Sequence, residues 1–212
     1  MSSFSLDCSL CPRLANFLTE VRKEYPSYHG LPVAPFGDPD ADFLIVGLAP
    51  GMHGANATGR PFTGDFAGIL LYRTLYEFGF SNQPESNSAQ DLLELKNCRI
   101  TNAVKCLPPQ NKPIGSEIAN CNGFLESELA GLPNSAIILA LGVIAHKAVV
   151  KASGEKIKNY PFGHGKVHQL DKNRHLVDSY HCSRYNTQTG RLTEAMFKDV
   201  FRTIRKMTTK TE

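Results

Sequence analysis

The sequence predicts an α/β fold of three layers, in which helices cover both faces of a short, mainly parallel sheet of about four strands. Two observations carry this prediction. Apolar runs of strand length alternate along the chain with longer helical patterns, an order typical of parallel sheets. The clearest run, Asp42–Leu48, is almost free of polar residues, as expected of a strand buried on both faces.

The first predicted element is a helix that opens at Pro12 and ends before Pro26. Proline suits the first turn of a helix. The residues that follow place an apolar stripe along one face: Leu14, Phe17, Leu18 and Val21. The helix carries a Cys-x-x-Cys pair at its entrance.

The remaining elements follow from the same two patterns. After the strand at Asp42–Leu48 comes a glycine-rich loop and then a helix over about Phe66–Phe78, for which Asp65 is the predicted N-cap. The polar segment Ser81–Ala89 predicts a surface loop. Further strands are predicted at Arg99–Val104, Ala136–Leu141 and His175–Tyr180, and further helices near Ser116–Leu129, Val143–Ala152 and Thr193–Lys206.

Length and composition narrow the class of protein. The 212 residues suit a single domain spanning 1–212. The chain lacks a signal-peptide pattern and any run near the roughly 20 apolar residues of a membrane span, so we expect a cytoplasmic protein without membrane contact. The formal charge of +3 is small. Four basic residues near the C-terminus permit phosphate binding but are more typical of a solvated helix face: Arg202, Arg205, Lys206 and Lys210.

Four of the six cysteines form two separated sets. Cys8 and Cys11 make the Cys-x-x-Cys pair, and Cys106 and Cys121 follow about a hundred residues later, with 14 residues between them. Four thiolates can ligate one metal centre if the fold brings the sets together. Zinc sites usually contain a second tight cysteine pair, which is absent from this sequence. Prolines closely follow Cys11 and Cys106, as they often follow cluster-binding cysteines, so an iron-sulfur cluster is favoured over zinc. Four unrelated buried thiols are the alternative.

Three loops follow predicted strand ends, where ligands bind in such sheets. The first, Gly47–Asp65, has five glycines and two prolines, so its backbone can turn sharply and approach a ligand closely. It matches neither the Walker nor the dinucleotide-binding pattern. The other two loops are Thr101–Pro109 and His181–Thr193.

Four motifs together resemble one enzyme family. CSLCPRL, GLAPGMHGANATGRPFTGD, ITNAVKCLPPQNKP and SYHCSRYNTQTGRLT are similar, in this order and from Cys8 to about Phe201, to the family-5 (type B) uracil-DNA glycosylases. The resemblance implies an enzyme that flips uracil, and other deaminated bases such as hypoxanthine, out of damaged DNA and hydrolyses the N-glycosidic bond to leave an abasic site. It also implies a structural 4Fe-4S cluster held by Cys8, Cys11, Cys106 and Cys121. We expect a monomer.

The resemblance further implies roles for three side chains at the base. Phe62 corresponds to the aromatic residue on which the flipped base stacks, and Asn102 to the amide that reads the uracil edge. His181 corresponds to the histidine that donates a hydrogen bond to the base oxygen as negative charge develops, with its charge state open. From residue type alone, a core phenylalanine, a turn asparagine and a structural histidine are the alternatives.

The water-positioning group is less clear from the resemblance. Leu48 stands where superfamily relatives carry an acidic or amide residue, and an aliphatic side chain cannot position water. Asp65 is therefore the predicted carboxylate for the water or the cationic sugar, although an N-cap role is the alternative. Backbone groups of Gly51 and Met52 are predicted to share the task.

The last loop is predicted to reach DNA through Ser183, Arg184 and Tyr185. Cys182 stands where the family usually has proline, which predicts a less rigid loop. Four polar residues of the first loop are predicted either to contact phosphate or the pocket rim, or to be ordinary surface residues: His53, Asn56, Thr58 and Arg60. A non-catalytic iron-sulfur or zinc module that binds nucleic acid is the alternative function.

Overall fold

A computed structural model describes residues 4–171 and 173–208, and these residues build a sheet flanked by helices. Its six strands lie in the order β1-β3-β2-β4-β6-β5. Their bounds are β1 Phe36–Gly37, β2 Phe43–Gly47, β3 Cys98–Asn102, β4 Ile137–Leu141, β5 Val167–Gln169 and β6 His175–Ser179. The helices are α1 Pro12–Glu24, α2 Ala55–Thr58, α3 Phe66–Glu77, α4 Gly115–Gly131, α5 Val143–Ala152, α6 Arg184–Gln188 and α7 Glu194–Thr208.

The four inner strands are parallel to one another, as predicted. The prediction of about four strands was wrong, because two short antiparallel strands, β1 and β5, complete the edges. They have two and three residues, too few to show a periodicity in the sequence. The register of β2 and β3 pairs Gly47 with Asn102, so both strands end at the same level.

Alternate residues of β2 point to opposite faces of the sheet and define the three layers. Ile45 packs in a cluster that includes Leu71 of α3 and Phe197 of α7. Val46 packs on the other face in a cluster that contains residues of α4 and α5, among them Leu125 and Val149. Such two-sided burial explains the continuous apolar runs, and it confirms the predicted α/β/α arrangement.

The α1 helix lies outside these two layers and packs with the loop that follows β3. Its apolar stripe is buried in a third cluster together with Val104 and Leu107. Arg13 fixes the helix to α4 through an ion pair with Glu117, with 2.7 Å between Nε and Oε1. These contacts attach the N-terminal segment to the middle of the chain.

The C-terminal helix α7 uses its basic residues as surface residues. Arg205 lies over the ring of Phe80, 5.2 Å from its centroid, and Arg202 pairs with Asp199. Lys210 falls outside the described residues. Among the helices that the structure describes, none is long and apolar enough to cross a membrane.

Candidate active site and cysteine cluster

A cavity of about 730 Å³ lies at the carboxyl ends of the parallel strands. Leu48, Asn102 and Leu141 enter its wall from the ends of β2, β3 and β4, and His181 enters from the segment after β6. Parallel strands all point the same way, so the loops that follow them meet at one edge of the sheet. This edge is where the sequence predicted the site.

Phe62 forms one wall of the cavity in a strained backbone conformation. Its φ of 54° lies in the left-handed region, which a bulky side chain rarely adopts. The hydroxyl of Tyr72 donates a 2.7 Å hydrogen bond to the carbonyl of Pro61, which holds the turn in place. The carbonyl oxygen of Phe62 lies where a Cβ on Gly68 would stand, only 1.8 Å away, so the start of α3 requires glycine there.

Asn102 and Phe62 meet above Gly47. A Cβ built on Gly47 would lie 2.4 Å from Oδ1 of Asn102 and 2.7 Å from Cζ of Phe62. The close approach of the two side chains is therefore possible only because residue 47 has no side chain. It places a carboxamide, with its donor and its acceptor, at the edge of an aromatic ring inside the cavity.

His181 also faces Phe62, with ring planes 27° apart and centroids 5.8 Å apart. Burial lowers the pKa of His181 to about 4, so the imidazole is neutral at neutral pH. Asn186 donates a 2.8 Å hydrogen bond to the backbone carbonyl of His181 and fixes the turn that carries it. The charge state that the sequence left open is thus the neutral one.

Asp65 both caps α3 and reaches the cavity. One carboxylate oxygen accepts a 2.9 Å hydrogen bond from the backbone of Gly68, which confirms the predicted N-cap. The other lies over the glycine-rich loop, 2.8 Å from a Cβ built on Gly54 and 3.8 Å from one built on Gly51. Burial raises the pKa of Asp65 although backbone N–H groups of α3 oppose this. Its capping and cavity positions coexist because they use different oxygens.

The segment after His181 combines cavity and surface residues. Ser183 and Arg184 line the cavity, and the Ser183 hydroxyl accepts a 3.5 Å hydrogen bond from the backbone of Asn186 as the cap of α6. The Arg184 guanidinium lies 5.1 Å from the centroid of the Phe66 ring. Tyr185 is 71% exposed, whereas Cys182 is fully buried.

Two first-loop residues, Arg60 and Asn56, lie elsewhere than expected. Of the residues with predicted backbone roles, Gly51 lines the cavity, and Met52 packs against the cluster of apolar residues that contains Cys106 and Cys121. Arg60 is buried and pairs with Asp91, so the expectation that it contacts phosphate is wrong. Asn56 is buried as well. Loop position suggested exposure for both, but the loop folds back into the protein.

The cavity also contains residues that the sequence analysis missed. Phe162 and Tyr180 line it with their rings 6.1 Å apart, and Arg191 lies over the Tyr180 ring at 4.7 Å. Phe162 belongs to a stretch without helical or alternating periodicity. The only sequence signal for Phe162 as a cavity residue is an aromatic side chain within a glycine-containing segment.

The two cysteine sets lie together in one group of packed side chains, called here the cysteine cluster. Cys11, Cys106 and Cys121 are buried together, and Cys8 packs against them. Burial, and then the charges of the other three thiols, raise the pKa of Cys106 to about 12. The Asn120 amide lies 3.5 Å from the Cys11 sulfur. Four thiols brought together, with an N–H donor nearby, are a donor set suited to a metal centre.

Comparison with known proteins agrees with these features. The model of the uracil DNA glycosylase superfamily matches residues 34–205. A type-5 uracil-DNA glycosylase of Thermus thermophilus is 47% identical, with 91% of this chain and 90% of the relative covered. Those of Pyrobaculum aerophilum and Mycobacterium leprae are 42% and 41% identical over 93% and 94% of this chain, covering 87% and 91% of their own lengths. The chain therefore belongs to the uracil-DNA glycosylase superfamily, and within it to the type-5 uracil-DNA glycosylases.

Proposed function

We propose that this protein is a DNA repair enzyme that excises uracil by hydrolysing its N-glycosidic bond. The observation that carries the proposal is the meeting of the Asn102 amide and the Phe62 ring above Gly47, in a cavity shared with His181. A ring for stacking and an amide for edge recognition are what a flipped base requires.

Asn102 reads the base in this proposal. Its carboxamide offers one donor and one acceptor, which pair with the O4 and N3–H of uracil. Cytosine presents the opposite pattern on that edge, so it would leave both polar groups unpaired at a cost of about 1–3 kcal/mol each. Phe62 supplies the stacking surface for the same base.

His181 stabilises the leaving base. As the N-glycosidic bond breaks, its electron pair moves to the base and leaves a cationic sugar. A neutral imidazole donates its N–H to the base oxygen that gains charge, without delivering a full positive charge beside the cationic sugar. The lowered pKa of His181 supports this role.

Asp65 serves the sugar and the water. Water adds to the cationic carbon and loses one proton, which the carboxylate can accept, while the negative charge stabilises the cation before water adds. The second carboxylate oxygen, which lies beside Gly51 and Gly54 and does not accept the capping hydrogen bond, supports this assignment. Leu48 lines the same cavity but has no polar atom for the task.

Cys8, Cys11, Cys106 and Cys121 hold a 4Fe-4S cluster in this proposal. Zinc sites usually contain a second tight cysteine pair, whereas 14 residues separate Cys106 from Cys121. This sequence spacing favours a cluster over zinc. A bound cluster supplies cross-links between the N-terminal segment, the loop after β3 and α4, and hydrolysis needs no electron from it.

The surface around the cavity binds damaged DNA. In this proposal Arg184 contacts phosphate, and Tyr185 enters the space left by the flipped base. The exposure of Tyr185 and the Ser183 cap of the turn support these roles. We propose that the enzyme acts as a monomeric single domain on the bacterial or archaeal chromosome in the cytoplasm, and that it also accepts hypoxanthine.

The test is base release from defined duplexes. Purified protein is incubated with duplexes that differ only in one uracil, hypoxanthine or thymine, and abasic sites are revealed by alkaline cleavage. We expect strand breaks at uracil and none at thymine. Binding of uracil-containing DNA without strand breaks would instead support the non-catalytic module.

A further inference from the structure

A second group of titratable side chains lies outside the cavity, between β6 and α5. Asp178 of β6 is fully buried, with His146 of α5 and His168 of β5 buried beside it. A buried carboxylate is costly unless hydrogen bonds and a counter-charge compensate it. Three groups face it: Nδ1 of His146 at 2.7 Å, Nε2 of His168 at 3.2 Å and the backbone N–H of Gly163 at 3.1 Å.

The contacts of His146 define where its protons are. Nδ1 faces the Asp178 carboxylate, and Nε2 lies 2.7 Å from the carbonyl oxygen of Tyr160. A carbonyl and an ionised carboxylate both accept hydrogen bonds and cannot donate. The backbone N–H of Gly163 also donates to the Asp178 carboxylate, which accepts in this arrangement. Paired with a carboxylate at Asp178, His146 has an acceptor at each ring nitrogen, which is the arrangement of an imidazolium.

The same three side chains also have the chemistry of a zinc site, with donor atoms within 4.8 Å of one another. Two ligand atoms on one tetrahedral zinc stand roughly 3.3 Å apart, given bonds of about 2.0–2.1 Å. The distance from His146 Nδ1 to Asp178 Oδ1 is 2.7 Å, the length of a charge-assisted hydrogen bond. The geometry therefore points to a proton between these atoms.

The elements joined by this ion pair continue into the cavity wall. α5 starts at Val143, which lines the cavity. Phe162, another lining residue, packs edge-to-face on the His146 ring with centroids 5.6 Å apart. The chain continues from Asp178 past the end of β6 to His181, three residues later. The ion pair thus connects three parts of the wall that faces the base.

We propose that His146 is a positioning residue for base excision. As an imidazolium bonded to Asp178 and Tyr160, it holds Phe162 and His181 in the arrangement that meets the leaving base. It does not touch the substrate, so its contribution lies in the geometry of the chemical step. This inference rests on the proposed uracil excision.

The first test compares single-turnover excision of uracil with affinity for uracil-containing DNA. Glutamine at position 146 is neutral and has a single amide, so His146→Gln leaves Asp178 without its counter-charge. We expect the single-turnover rate to fall at least about fivefold while affinity stays within about twofold. His175→Gln, at the other end of β6, is the matched control and should keep the parent rate. A parent rate in His146→Gln overturns the proposal.

A double variant separates positioning from stability. Asp178→Asn in the His146→Gln background removes the unpaired buried charge, so the melting temperature should recover toward that of the parent. We expect the excision rate to stay low, because a pair of neutral amides does not restore the histidine contacts. If rate and melting temperature recover together, the ion pair has a structural role alone and the proposal fails.

The protonation state is measured on the parent protein, whether or not it excises uracil. Histidine-selective ¹⁵N NMR at neutral pH should show one ring with protons on both nitrogens, and His146→Gln should remove that signal. A neutral His146 ring, or one zinc per chain that is lost in His146→Gln, overturns the proposal. A parent that shows the imidazolium but releases no uracil refutes the proposed function instead.

Discussion

The rings of Phe62 and His181 face each other with planes 27° apart and centroids 5.8 Å apart. Phe62 reaches this position through a left-handed backbone conformation, with φ of 54°, that costs on the order of 1–3 kcal/mol. The surrounding turn maintains it through the Tyr72 hydrogen bond and the absence of a side chain at Gly68. Strain retained at a cavity wall indicates that the position of the Phe62 ring matters for function.

The space above Gly47 gives the first prediction. Gly47→Ala places a methyl group 2.4 Å from Asn102 Oδ1 and 2.7 Å from the Phe62 ring, so one of them must move. We expect single-turnover uracil excision to fall at least about tenfold, equivalent to about 1.4 kcal/mol. Gly131→Ala is the control, because nothing lies within 4 Å of its added methyl group. Equal rates in both variants would contradict the described packing.

Recognition by Asn102 gives the second prediction. Asn102→Ala should weaken uracil excision by about 1–3 kcal/mol in transition-state terms, the usual cost of an unpaired polar contact. Hypoxanthine presents a different edge, so Asn102→Ala should change the rate of hypoxanthine excision by a different factor from that of uracil excision. The measurement is the ratio of single-turnover rates on matched duplexes. The same loss on both bases would assign Asn102 a packing role.

The low pKa of His181 gives a prediction about stability. In the folded protein this pKa is lowered to about 4 from an ordinary value of 6.5, so between these values the unfolded chain binds the additional proton. The His181 contribution to the free energy of unfolding is therefore complete above pH 6.5. As the pH falls toward 4 it is lost, by at most about 1.4 kcal/mol per pH unit. Urea unfolding across this range should show a shallower pH dependence in His181→Ala.

The cysteine cluster predicts a coloured protein. Anaerobically purified protein should be brown, absorb broadly near ~400 nm and contain about four irons per chain. Cys106→Ala and Cys121→Ala should lose iron and solubility together, whereas Cys98→Ala and Cys182→Ala should keep the colour. Colourless protein with one zinc per chain would contradict the cluster assignment.

Much of the fold could be predicted because its signals are local. The inner strands are continuous apolar runs, and Asp65 caps α3 within three residues of its partner Gly68. The edge strands β1 and β5 were missed because two or three residues carry no pattern. What surrounds a side chain depends on contacts distant in sequence.

Arg60 and Phe162 show this limit for the candidate site. The partner of Arg60 is Asp91, 31 positions later, so a charged loop residue was wrongly expected at the surface. Phe162 reaches the cavity only because its segment folds against His146. The approach of Cys8 and Cys11 to Cys106 and Cys121, by contrast, could be predicted, because the chemistry of cysteine restricts the partners that it can have.

Single-turnover uracil release by His181→Ala and Asp65→Asn tests the central claim most directly. Asparagine at position 65 keeps the cap of α3 but removes the carboxylate charge. Thermal melting should show that both variants are folded. Each should release uracil at least about tenfold more slowly, on the order of 1.4 kcal/mol, with nearly unchanged affinity for lesion DNA. Release at the parent rate by both variants would contradict the assigned chemistry and leave the backbone around Gly51 as the catalytic group.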